Sequence, residues 1–214
     1  MNYGCNGRRA VISGGTSGIG LAAARTLLAD GAEVWLLART ERPQLLAELK
    51  ENYGEKVHFI QCDVANVDCC KAAAAQIKNA GSVDFLVNSA GIYREQSMEM
   101  LTESEFDEIF GVNVKGTVFL AQALLPYMAA GGAVVNVASD AGVSGNYGCA
   151  AYCASKGAVV AFTRARGLTA YALPILIRRF CSSSLKRQAA AIHWRMLRKP
   201  TLWGALGVRK KWRT

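Results

Sequence analysis

Eight residues, Ser13-Gly14-Gly15-Thr16-Ser17-Gly18-Ile19-Gly20, constrain this chain more than any others. They come after a short apolar run at 8–13 and open an Ala- and Leu-rich stretch at 21–29 that favours helix. A small-residue turn between a strand and a helix lets backbone N–H groups approach an anion, and the helix N-terminus adds partial positive charge there. A glycine cluster of this kind also occurs as a plain strand-to-helix turn, so its meaning depends on the pattern of the rest of the chain.

That pattern repeats the same unit. Apolar runs at 34–38, 57–61, 83–88 and 133–138 read as strands, and 43–52, 67–78 and 150–166 read as helices. Gly31 marks the end of the first helix. A long helix is expected from Thr102 to about Met128, opened by Thr102 and Glu105 at the spacing of a capping box. The strands are continuous apolar runs without polar alternation, which suits a parallel sheet covered on both faces. The expected fold is therefore α/β, a doubly wound parallel sheet of the Rossmann-like kind, with right-handed crossovers.

In such a sheet, ligands bind at the carboxyl ends of the strands. Asp63 and Asn88-Ser89-Ala90-Gly91 fall at that edge, although each could be read alone as a turn residue. The second strand ends Leu37-Ala38-Arg39-Thr40. An acid there would hydrogen-bond the ribose of NAD; an arginine suits a 2′-phosphate, so Arg39 favours NADP with NAD as the alternative. The competing reading of Arg39 is a solvated arginine after a strand.

Tyr152 and Lys156 are four apart on an expected helix and share a face. An ammonium beside a phenol favours the phenolate, lowering the tyrosine pKa from about 10, and a tyrosine so tuned can exchange a proton with a carbonyl or alcohol oxygen. Any helix can hold such a pair as packing plus surface charge. Ser139, at the end of the fifth strand, strengthens the catalytic reading because its hydroxyl can orient a substrate oxygen. Asn113 lies inside the long helix, where asparagine is a poor fit. Either a local distortion frees a backbone carbonyl to hold a water near Lys156, or Asn113 is an exposed helical residue.

Taken together, Gly14, Gly18, Gly20, Asp63, Asn88-Ser89-Ala90-Gly91, Asn113, Ser139, Tyr152 and Lys156 resemble the short-chain dehydrogenase/reductase family, in its 3-oxoacyl-reductase-like form, over residues 8–166. The resemblance implies that the glycine turn, with Thr16, Ser17 and Ile19, holds the cofactor pyrophosphate, that Asp63 contacts the adenine, and that Asn88, Ala90 and Gly91 lie near the cofactor. It implies that Ser139 positions the carbonyl, that Tyr152 is the general acid/base, that Lys156 binds the nicotinamide ribose, and that Asn113 anchors a proton-relay water. The implied reaction is reversible hydride transfer between NAD(P)H and a ketone or secondary alcohol. The implied assembly is a homo-oligomer, a tetramer packed through the long helix and the Tyr152 helix.

Charge divides the chain at the same place. Residues 1–166 hold 14 Lys and Arg against 16 acids, whereas 167–214 hold 11 Lys and Arg, no acid, and three of the four tryptophans. The sequence thus reads as a catalytic and dinucleotide-binding domain at 1–166 and an atypical basic segment at 167–214. Past Arg166 the family's sixth strand, Pro-Gly nicotinamide loop and substrate lid are not recognisable, although 175–180 has strand character. The leading reading of 167–214 is a translated frameshift; the others are a basic tail for polyanions or a membrane surface, and a divergent substrate region. Correspondingly, the alternative functions are an impaired nucleotide-binding remnant and a binding protein acting through its tail. No partner nucleic acid or membrane is expected for the catalytic part. Seven irregularly spaced cysteines and two histidines suggest free thiols and no metal centre. No secretory leader is apparent, so a cytoplasmic location is expected.

Overall fold

The computed structural model describes residues 3–165 and 169–171. Six strands form one sheet in the order β3-β2-β1-β4-β5-β6, every pair parallel. They are β1 (Arg9–Ser13), β2 (Glu33–Ala38), β3 (Val57–Gln61), β4 (Val83–Asn88), β5 (Met128–Val137) and β6 (Thr169–Tyr171). The chain runs outward from β1 to β2 and β3, then returns to place β4 on the other side of β1. That reversal creates a crevice above the carboxyl ends of β1 and β4.

Adjacent residues of each central strand face opposite ways and enter different cores. Val11, Leu37 and Leu86 pack with α3 (Val67–Lys78) and α5 (Thr117–Leu124), whose Cys70, Ala74, Ile77, Leu120 and Leu124 are buried. Ile12, Leu36 and Val87 pack on the other face with α1 (Gly18–Ala29) and α2 (Pro43–Tyr53) through Ala24, Leu27, Leu28, Leu46 and Leu49. Both faces are covered, which explains the apolar runs without alternation.

The expected elements at 57–61, 67–78 and 83–88 have those bounds. Two regions differ. The expected single helix from Thr102 becomes α4 (Glu103–Phe110), a π-helical segment (Gly111–Gly116) and α5, closed by a tight turn at Leu125–Tyr127 that contains Pro126. The Thr102/Glu105 capping box is present. This stretch, Glu103–Tyr127, has a length and mean hydropathy (1.3) that would also suit a membrane span. Here its Ile109, Val112, Leu120 and Leu124 are buried, as in a core helix.

The second difference is at β5, which starts at Met128, five residues before the apolar run. Val83 pairs with Met128 and Phe85 with Ala133, so the strand bulges between them at Ala129–Gly132, with Gly131 at φ +80. After β5 come the short α6 (Ala141–Ser144) and then α7 (Ala150–Ala165). β6, absent from the apolar pattern of the sequence, pairs Thr169 with Val135 and Tyr171 with Val137. The strand considered at 175–180, and the rest of the basic segment, lie outside the described residues.

Candidate active site

The glycine turn sits in the crevice, tied to β2 by the Gly14 N–H donating to Leu37 O at 2.8 Å. Gly14 has φ +66, and a Cβ on it would lie 3.0 Å from the backbone of Ala90. A Cβ on Gly20 would stand 2.4 Å from Gly14 O, where no side chain fits. Glycine is therefore required at both positions by close backbone approach. Ser13, the first residue of the glycine turn, joins the two loops: its Oγ accepts from the N–H groups of Ser89 and Ala90, both at 3.2 Å. α1 opens at Gly18, with Ser17 as its N-cap residue, no capping side chain and no acid in its first turn. Its first N–H groups are left for an anion.

A cleft of about 210 Å³ runs along this edge. Gly14, Thr16, Ser17, Arg39, Asp63, Ala90 and Gly91 line it, whereas Gly18, Ile19, Gly20 and Asn88 do not. Arg42 lines it beside Arg39; it sits at the N-cap of α2, beyond the strand end where a ribose-binding residue is sought in the sequence. Asp63 also closes a turn, its Oδ1 accepting from Ala65 N–H at 3.0 Å. Asn88 is buried and belongs to the sheet: its Nδ2 donates to Asn136 Oδ1 at 2.8 Å. Asn136 Nδ2 donates to Thr163 Oγ1 at 2.9 Å, and that hydroxyl donates to Val159 O at 2.6 Å. This buried chain fixes β4, β5 and α7 to one another.

The second cluster lies around α7. Tyr152, Ser139, Lys156 and Asn113 are all buried. Lys156 Nζ donates to Val137 O at 2.9 Å and lies 5.8 Å from the centre of the Tyr152 ring. Tyr93 meets that ring edge-on, with centroids 4.9 Å apart. Asn113 is not an exposed helical residue. Its Oδ1 accepts from Ile92 N–H at 2.8 Å, and its Nδ2 donates to Ile92 O and Ser155 Oγ, each at 3.0 Å. The expected helix distortion is the π-helical segment, and in it Asn113 O accepts from Thr117 Oγ1 at 2.8 Å. Such insertions are common at functional sites.

The electrostatics correct one expectation. Burial raises the Tyr152 pKa, against the opposing effect of a hydrogen bond with Ser139; Asp140, Cys149 and Cys153 push in the same direction as burial. Lys156 is itself depressed by burial to about 8, and its Nζ donates to a backbone carbonyl. The tyrosine in this setting holds its proton.

Gly91 joins the two clusters. It lines the cleft, and a Cβ on it would fall 3.2 Å from Asn113 Oδ1 and 3.3 Å from Lys156 Nζ. Gly91 thus sets the wall of the cleft in close contact with the α7 cluster. An uncapped helix N-terminus, two arginines and glycine-lined walls fit a phosphate-bearing dinucleotide.

The family model described as short chain dehydrogenase matches residues 8–186, twenty residues beyond the span that the motifs mark. The chain is 37% identical over 159 residues to a 3beta-hydroxysteroid dehydrogenase of Mediterraneibacter gnavus, covering 72% of this chain and 58% of that protein. It is 35% identical over 179 residues to a meso-2,3-butanediol dehydrogenase of Serratia marcescens, covering 82% and 70%. Among solved structures, L-sorbose reductase from Gluconobacter frateurii, complexed with NADPH and L-sorbose, superposes with a TM-score of 0.73 at 30% identity, covering 78% and 65%. With the family model spanning most of its length and a crevice built from the same motifs, the chain belongs to the short chain dehydrogenase family.

Proposed function

We propose that this protein is an NADP(H)-dependent oxidoreductase that interconverts a small ketone and the corresponding secondary alcohol. The observation that carries the reading is the adjacency, at Gly91, of a phosphate-suited cleft with Arg39 and Arg42 to the buried cluster of Ser139, Tyr152, Lys156 and Asn113. The relatives described above act, by their names, on a steroid alcohol, a diol and a sugar, and the sorbose reductase holds NADPH.

The glycine turn and the α1 N-terminus would hold the pyrophosphate, Arg39 and Arg42 the 2′-phosphate, Asp63 the adenine, and Lys156 the nicotinamide ribose. The cofactor, when bound, supplies or accepts the hydride. Tyr152 holds a proton that burial retains, and its hydroxyl delivers it to the carbonyl oxygen in reduction. Ser139 donates to the same oxygen and fixes its orientation. Lys156 keeps a donor beside the ring, and Asn113 anchors its helix to the Ile92 loop. The burial of all four side chains keeps water from the reacting atoms.

The direct test is NADPH oxidation over a panel of small ketones, diketones and ketoses. Turnover is expected, and Tyr152→Phe should lower kcat by about 100-fold or more while leaving NADPH binding unchanged. No turnover in a folded sample that binds NADPH would remove this reading. It would favour a nucleotide-binding protein without catalysis. The 2′-phosphate assignment is tested separately. Arg39→Ala with Arg42→Ala should weaken NADPH binding by roughly 10-fold or more, as loss of charge-assisted hydrogen bonds implies, with NADH binding unchanged.

A further inference from the structure

Two cysteines flank Tyr152 and have no part in the proposed chemistry. Cys149 precedes α7 and Cys153 lies one turn into it, joined by the helical bond from Cys153 N–H to Cys149 O at 2.9 Å. Their Sγ atoms are 3.6 Å apart. Cys149 is buried in one cluster with Ala141 and Tyr152, and Cys153 packs against that cluster while remaining partly exposed.

Both thiols hold one residue, Asn146. Its N–H donates to Cys153 Sγ at 3.2 Å. Its carbonyl accepts from Cys149 Sγ at 3.4 Å and from Cys153 Sγ at 3.6 Å. Asn146 lies in the loop between Ser139 and Tyr152, bounded by Gly145 and Gly148 at φ +73 and +75. Tyr147 on that loop is fully exposed. Besides the thiols, backbone bonds hold the two ends of the loop, from Gly145 N–H to Ala141 O at 3.1 Å and from Gln96 N–H to Gly148 O at 2.6 Å.

We propose that Cys149 and Cys153 form a reversible oxidation site, taking a small disulfide of the glutathione type as oxidant, whose closure releases the 145–148 loop beside Tyr152. Cys153 reacts first, because it is accessible while burial pushes the Cys149 thiol up to about 11. The Cys153 thiolate attacks one sulfur of the small disulfide, the S–S bond breaks, and one thiolate leaves with the electron pair. Cys149, deprotonated, then attacks Cys153 Sγ and expels the second thiolate. The cysteine pair loses two electrons, the small disulfide gains them, and the two cysteine protons end on the two released thiols. A disulfide bond of about 2.05 Å requires the sulfurs to approach by roughly 1.5 Å. Cys149, lying outside the helix, can supply that movement. The bonded sulfurs carry no hydrogen, so Asn146 O loses both sulfur donors.

The full-length reduced protein is treated with oxidised glutathione and read in two ways that need no catalytic turnover. Peptide mass mapping should show Cys149 linked to Cys153 with the loss of two hydrogen masses, reversed by dithiothreitol. Chymotryptic cleavage after Tyr147 should become several-fold faster in the oxidised protein and return on reduction. Cys153→Ser, which keeps a donor for Asn146, should show neither change. Both thiols remaining free, stable glutathionylation of Cys153, or linkage of either cysteine to another such as Cys181 would overturn the site. A Cys149–Cys153 disulfide without faster cleavage after Tyr147 would overturn its coupling to the loop.

Discussion

Lys156 brings an ammonium group into a position only 5% exposed. Its hydrogen-bond partner is a neutral carbonyl, Val137 O, and burial holds its pKa near 8 against 10.5 when exposed. Between those values the unfolded chain binds a proton that the folded protein does not, so stability rises with pH across that window. Below about 8 both states are charged and the folded state bears the full cost of burying the charge. Wild type should therefore lose ground to Lys156→Met below about pH 8, and the gap should narrow as pH rises towards 10.5, measured by thermal unfolding. A constant gap would show that the ammonium is solvated in the folded protein. Burial of the phenol is also the largest influence on Tyr152 and raises its pKa, opposite to the lowering expected from the sequence.

β4, β5 and α7 are held in register by side chains as well as by packing. Asn88 and Asn136 are paired positions of neighbouring strands, and Thr163 reaches Asn136 from the helix that carries Tyr152. Asn136→Ala would leave Asn88 Nδ2 without its buried acceptor and the Thr163 oxygen without its buried donor. It should cost about 1–3 kcal/mol, roughly 2–10 °C in Tm for a domain of this size. Asn88 Oδ1 already lacks a partner among the described residues, so the loss would leave both polar atoms of that buried amide unpaired. The π-helical segment is the second device at this scale. It turns Asn113 inward to bind both backbone groups of Ile92, which holds the loop after β4 against α7. Asparagine's poor helix propensity signals a distortion in the sequence. The partner residue, 21 positions away in the chain, carries no such signal.

The molecule places its cofactor crevice where the sheet order reverses, between the loops after β1 and β4. Those loops touch through Gly14 and Ala90 and share the Ser13 hydroxyl, so ligand in the crevice should stabilise both halves of the sheet together. NADPH at about 100 times its Kd should add about 2.7 kcal/mol, a Tm rise of roughly 5–10 °C. No shift in a folded sample would show that the crevice does not hold the cofactor. At this scale the basic character of the chain belongs almost wholly to residues after 166, while β6 at Thr169–Tyr171 joins the sheet beside β5. A three-residue strand is too short to announce itself by apolar pattern, so the sequence alone does not mark it.

The sequence by itself determined the parallel doubly wound sheet and the elements that carry Gly14, Ser139, Tyr152 and Lys156, because periodicity, glycine turns and capping are local properties of the chain. It pointed to Arg39 but not to Arg42, which the start of α2 brings to the same cleft. Tertiary structure alone decided how the groups are tuned and joined. Burial sets the proton affinities of Tyr152 and Lys156, packing sets Gly91 close against Asn113 and Lys156, and the asparagine chain links positions 27 and 48 residues apart. Those properties depend on desolvation and on distances across the fold, and neither is written in the order of neighbouring residues.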